Sequence, residues 1–147
     1  MSFAGHALST EEVDRISATT VTELMKLVKE DHLAFVRRVS EIVASGVVPQ
    51  SGLATAHTCR LGRWYDSLTD ATTLALPSFR AIAVPHQAVH ECGRSAVAAI
   101  AVHDMAEAQR HLAEVREHSE RVVSCLDTFG QDYLTTVRQD SKELRAA

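Results

Sequence analysis

Apolar residues recur along this chain at intervals of three and four, over stretches too long for anything but helix. The clearest run is Met105, Ala108, Leu112, Val115, Ser119, Val122, Leu126, Phe129 and Tyr133, whose steps alternate three and four throughout. That is a heptad seam of about four repeats. A second run passes through Val13, Ile16, Thr20, Leu24, Leu27, Val28, Phe35, Val39 and Ile42. No sustained alternation of apolar and polar residues specifies a strand. The expected class is therefore all-α: a four-helix bundle with an additional short helix carrying Cys59.

Helix boundaries follow from capping chemistry. Ser9, Thr10, Glu11 and Glu12 fit a capping box that starts the first helix at Ser9. Gly46 is a suitable stop, with Pro49 just beyond. This helix of roughly 35 residues would be about 50 Å long. Residues 47–56 read as a loop, and a short helix over 59–68 carries Leu61, Trp64 and Leu68. After a further loop, Pro77 opens a helix over 77–102, inside which Pro85 should kink or restart it. Asp104 to Glu107 forms a second capping box, and the last helix runs to near the C-terminus. Residues 1–8 are expected to be a disordered tail, and 9–147 a single domain with an extended C-terminal helix. The last seam fits the core face of an antiparallel bundle. Its excess length would need a partner, such as another copy of the chain.

Bulk properties narrow the function. A length of 147 residues suits one domain, and 46% apolar content is enough for a core. The formal net charge of −4 argues against nucleic acid or an anionic membrane as partner. No apolar run approaches the roughly 20 residues of a membrane span. No secretory signal is visible, so a cytoplasmic location is expected. Three cysteines cannot all pair within the chain, and reduced thiols are expected.

The chemistry concentrates in four residues: His32, Cys59, His86 and His90. His86 and His90 are four apart on one helix, so both imidazoles share a face and can reach one ion. The flanking stripe of Ile82, Val89, Gly93, Val97 and Ile100 turns that face inward, and Gly93 removes bulk where another helix could approach. His32 lies in the apolar stripe of the first helix. It reads either as a core histidine hydrogen-bonded to backbone or carboxylate, or as a ligand. Cys59 opens the short helix, whose N-terminus favours thiolate, the metal-binding form. The alternative is a small buried hydrophobe. Three imidazoles and a thiolate could close a tetrahedron around zinc.

Supporting positions carry their own alternatives. His57, two residues before Cys59, reads as a cap or a fifth nearby ligand. Trp64 reads as the core anchor of the short helix, and Arg60 and Arg63 as carboxylate partners or solvated charges. Asp31 is a candidate acceptor for an imidazole N–H. Adjacent helical residues diverge by about 100°, so it would serve a ligand other than His32. His103, His111 and His118 read as solvated, and Cys92 and Cys125 as packing residues.

The stretch His57-Thr58-Cys59-Arg60-Leu61-Gly62-Arg63-Trp64 resembles the H-x-C-x-L-G-x-W signature of chemoreceptor zinc-binding (CZB) domains. Asp31-His32-Leu33-Ala34-Phe35 is similar to the family's first-helix histidine motif. Leu76-Pro77-Ser78-Phe79 is similar to its L-P-x-F element, and Pro85-His86-Gln87-Ala88-Val89-His90 to its P-H-x-x-V-H motif. The resemblance runs from about residue 20 to 130. Phe35 departs from it, standing where members often have Trp. The resemblance implies a helical bundle that binds Zn²⁺ through His32, Cys59, His86 and His90. Gly62, Trp64, His57 and Asp31 would support the site.

The resemblance also implies a regulatory role with no catalysis. Such domains act on signalling output, of the chemoreceptor or diguanylate cyclase type, and cyclase-linked members are homodimers. The chain has no cyclase catalytic motif, so it is expected to stand alone or to be an excised regulatory domain. Four protein ligands leave zinc no open position, which favours a sensor over a catalyst. Two alternatives use the same atoms: an oxidant sensor reading hypochlorous acid or peroxide at Cys59, and a passive zinc-binding protein. A di-iron carboxylate enzyme would need Glu-x-x-His pairs. Glu107/His111 and Glu114/His118 are spaced one residue too far.

Overall fold

The computed structural model describes the backbone of residues 10–146, and the side chains of 20–139 and Lys142. The expected tail and the Ser9 capping box lie outside these residues, as do the side chains of Val13 and Ile16. Among the described residues six helices follow in order: α1 (Thr10–Ser45), α2 (Arg60–Ser67), α3 (Ala71–Ala75), α4 (Pro77–Arg80), α5 (Ala83–Ala101) and α6 (Met105–Ala146). No strand occurs among the described residues. The all-α bundle is as the periodicity predicts. Its long members are α1, α5 and α6, and the short α2, α3 and α4 bridge from α1 to α5.

The seam of α6 is buried from Ala108 through Leu112, Val115, Ser119, Val122 and Leu126 to Phe129, while Met105 at its start is exposed. On α1 the buried face differs from the expected stripe. Thr20 and Leu27 face solvent, and Val21, Met25, Val28, His32, Val39 and Ile42 are buried, with Phe35 half-buried. Apolar neighbours at 24/25 and 27/28 offered two registers. The register through Val21, Met25 and Val28 wins because it continues in steps of four and three into His32, Phe35, Val39 and Ile42. Arg116 on α6 bonds Ser40 on α1, and Asp127 pairs with Lys29. The two long helices are therefore antiparallel.

Helix ends are set by local chemistry. Gly46 adopts φ +67°, and its amide donates to the Ile42 carbonyl at 3.0 Å, which ends α1 as expected. The turn between α5 and α6 uses the same left-handed geometry without glycine. His103 sits at φ +58°, its amide donates to Ile100, and that of Asp104 donates to Ala99. Asp104 caps α6 by accepting from the Glu107 amide at 3.1 Å. The expected capping box is only half formed, because the Glu107 carboxylate turns to Arg110. Asp70 caps α3, a helix in a segment expected to be loop, by accepting from the amide and hydroxyl of Thr73.

Pro85 acts as expected. The helix begun at Pro77 stops at Arg80, and α5 restarts at Ala83 with Pro85 as its third residue. Proline has no N–H for the Ala81 carbonyl. The Cys125 thiol approaches that carbonyl instead, at 3.8 Å. The restart sets the register in which His86 donates its amide to Ile82 and directs its ring inward. None of the helices is long and apolar enough, within the described residues, to cross a membrane.

Candidate metal centre

The imidazoles of His32, His86 and His90 meet between α1 and α5. Each offers one ring nitrogen, and the three nitrogens lie within 4.8 Å of one another. Ring centroids are 4.9 Å apart for His86 and His90, 5.2 Å for His32 and His86, and 6.0 Å for His32 and His90. All three residues are at most 4% exposed. The Phe35 ring covers His90 at 4.6 Å. It fits there because Gly93 has no side chain: a Cβ on Gly93 would lie 2.9 Å from the ring.

Cys59 joins this group through one of its members. Its Sγ lies 3.2 Å from His86 Nε2. The residue is the N-cap of α2, and the Gly62 amide donates to its sulfur at 3.4 Å. Gly62 is required for this turn. A Cβ there would lie 1.8 Å from the Ala56 carbonyl oxygen, inside the loop that delivers Cys59. The same loop supplies the Ala54 carbonyl, which accepts from His90 Nδ1 at 2.7 Å. That bond leaves the Nε2 lone pair of His90 facing the cluster, the usual arrangement for a metal-bound histidine. Sequence reasoning missed Ala54, because its contribution is a backbone oxygen that no side-chain pattern reports.

The remaining predicted positions surround this group. Asp31 receives an ion pair from Arg60 Nε at 3.2 Å, linking α1 to the first residue of α2. His57 is exposed, and its Nδ1 bonds Asp66 Oδ2 at 2.8 Å across the length of α2. Trp64 packs against Phe79 and Phe129, with centroids at 6.0 and 5.5 Å, and so anchors α2 to α4 and α6. Two histidines expected to be solvated are partly enclosed: His111, between Glu107 and Glu114, and His118. Cys92 is a packing residue whose thiol donates to Glu114, and burial pushes it up to about 11.

Electrostatics keep the imidazoles neutral. Burial, and then the neighbouring His90, lower His32 to about 4. Burial, and then His32 and His90, lower His86 to about 3. Burial also lowers His90, against the raising effect of its bond to Ala54. Burial pushes the Cys59 thiol up, and the Asp31 carboxylate adds to this, while the backbone amides at Gly62 and Leu61 oppose it. The helix N-terminus expected to favour thiolate is present, but desolvation outweighs it in the metal-free chain.

Both ring nitrogens of His32 and Nε2 of His90 are buried without a hydrogen-bond partner among the described residues. Leaving such a group unsatisfied costs about 1–3 kcal/mol. Neutral imidazole nitrogens beside a thiol are the donor set of tetrahedral zinc, so the residues present fit that ion. Residues 32–97 match the family model described as Chemoreceptor zinc-binding domain. Neither a curated protein nor a solved structure matches the chain.

Proposed function

Through residues 32–97 this chain belongs to the chemoreceptor zinc-binding domain family, a family of zinc-binding regulatory domains, and on that premise we propose that His32, Cys59, His86 and His90 are its zinc ligands. The observation carrying this reading is the buried triad of imidazoles on two long helices, with nitrogens within 4.8 Å of one another and those of His32 and His90 unpaired. When bound, zinc supplies a structural cross-link of four protein ligands and no open coordination position. His32 would hold α1, His86 and His90 would hold α5, and Cys59 would hold the start of α2. The arrangement of these elements would then depend on metal occupancy, and α6 would carry that dependence to a signalling output domain or partner of chemoreceptor or diguanylate cyclase type.

Metal analysis of purified variants tests the assignment. The native chain should hold about one zinc ion per chain, and Cys59→Ala, His32→Ala and the His86→Ala/His90→Ala pair should each lose most of it. Unchanged stoichiometry in any variant removes that position from the ligand set. Hydrogen exchange on metal-free and zinc-loaded protein tests regulation: protection should change along α2 and α6. Identical exchange outside the ligand residues would favour a passive zinc-binding protein.

A second reading uses the same sulfur. Cys59 is only half-buried and lines a cavity of about 260 Å³ with Asp31, His32, Arg60 and His90. Hypochlorous acid would convert the thiolate to a sulfenic acid with release of chloride, giving a poorer ligand. Sub-stoichiometric oxidant should then release zinc from the native protein before any methionine is oxidised. Release only after methionine oxidation would exclude the oxidant reading.

A further inference from the structure

We infer that the Asp31–Arg60 ion pair is a latch across the mouth of the metal centre, positioning the Cys59 sulfur and setting how fast a bound ion exchanges. The inference rests on the ligand reading above. Asp31 immediately precedes His32 on α1, and Arg60 immediately follows Cys59 at the start of α2. Their 3.2 Å pair therefore ties the backbone at one proposed ligand to the backbone at another.

Its place in the structure is that of a rim. Asp31 and Arg60 line the same 260 Å³ cavity as His32, His90 and Cys59. Their side chains are 43% and 47% exposed, whereas His32 and His90 are both 3% exposed. The pair thus stands between solvent and the buried donors. Apart from the exposed His57–Asp66 pair to its own preceding loop, the other attachments of α2 are apolar and lie deeper: Leu61 in the core, and Trp64 on Phe79 and Phe129. The Trp64 contacts hold α2 to α4 and α6. The ion pair holds its N-terminal end, where Cys59 sits, to α1. With the pair broken, that end can lift while Trp64 keeps the helix docked, which opens the cavity and withdraws the sulfur from His86. Asp31 and Arg60 are in this sense positioning residues that act through Cys59.

Zinc release from the loaded protein into excess chelator, followed by stopped-flow absorbance, tests the latch. Asp31→Asn and Arg60→Gln should each release zinc about two- to five-fold faster, the range open to an exposed ion pair. The double variant should be no faster than either single one, and the reversed pair Asp31→Arg/Arg60→Asp should recover most of the native rate. In the metal-free protein, alkylation of Cys59 should accelerate in both single variants by a similar factor. Native release rates in both single variants would overturn the latch, as would effects that multiply in the double variant. Failure of the ligand reading shows separately, as zinc content unchanged by Cys59→Ala or His32→Ala.

Discussion

Cys59 is subject to opposed influences at one sulfur atom. Burial and the Asp31 carboxylate favour the thiol, and the backbone amides at Gly62 and Leu61 favour the thiolate, with burial the strongest. The imidazoles around it, with His32 lowered to about 4 and His86 to about 3, carry lone pairs at neutral pH. Zinc binding at pH 7 should therefore release about one proton per chain, all of it from Cys59. Titration calorimetry in buffers of different protonation enthalpy reads this number, and Cys59→Ser should bring it close to zero. A release of two or three protons would mean that the histidines start charged. The same burial fixes the acid sensitivity of the metal-free protein. His32 titrates at 6.5 unfolded and at about 4 folded, so the unfolded chain binds more protons between those values. The stability it contributes is complete above pH 6.5 and is lost as pH falls towards 4. At about 1.4 kcal/mol per pKa unit, this is on the order of 3 kcal/mol for His32. Urea melts of the metal-free chain at pH 7, 5.5 and 4 should show at least that decline, and His32→Leu should remove only part of it, because His86 and His90 are lowered as well. Gly62 offers a steric test. Gly62→Ala sets a methyl against the Ala56 carbonyl, so the loop from Ala54 to Cys59 must shift. We expect a loss of about 1–3 kcal/mol, together with weaker zinc retention. A native melting temperature would mean that the loop relaxes freely.

Among the helices, the turn between α5 and α6 holds unused stability. His103 adopts the left-handed conformation at φ +58°, which costs an L-residue roughly 1–2 kcal/mol. His103→Gly should stabilise the protein by about 1 kcal/mol despite the added freedom of glycine in the unfolded chain. Asp104→Ala, which removes the cap of α6, should cost about 1 kcal/mol. Denaturant melts of both variants check the two signs. Elements like these also show which information the sequence exposes. Gly46, Pro85 and the Asp104 cap were legible because each acts on the backbone within about one helical turn. So was the inward direction of His86 and His90, which follows from spacing alone. The face of α1 was not legible over residues 20–28. Two apolar registers coexist there, and packing against α6 selects between them. Nor was the position of Arg60 or Ala54, because it depends on how the loop of 47–59 returns over α1 and α5. The short α3 was hidden by its length: five residues carry too little periodicity to stand out.

Across the whole bundle, the three long helices among the described residues are unequal. α1 has 36 residues and α6 has 42, but α5 has only 19, about 28 Å of helix. The N-terminal part of α1 and the C-terminal part of α6 therefore run on together beyond the cover of α5. There they form an open groove of about 470 Å³, lined by Val21, Met25, Leu33, Leu126, Gly130 and Leu134. Lys26 and Glu30 edge it with charges of both signs. A second copy approaching about a two-fold axis can set each sign against its opposite, as an isologous interface requires. The homodimer that the family resemblance leads one to expect would in that case be built from the helices that outrun the bundle, leaving the imidazole triad within each copy. Leu33 is 57% exposed and Leu134 half-buried, so their replacement should disturb the interface more than the core. The native chain should then sediment as a dimer, and Leu33→Lys/Leu134→Lys at the same concentration as a monomer that retains its zinc. A variant that stays dimeric would move the interface elsewhere. One that becomes monomeric and also loses zinc would mean that Leu33, which directly follows His32 on α1, couples the interface to the metal centre.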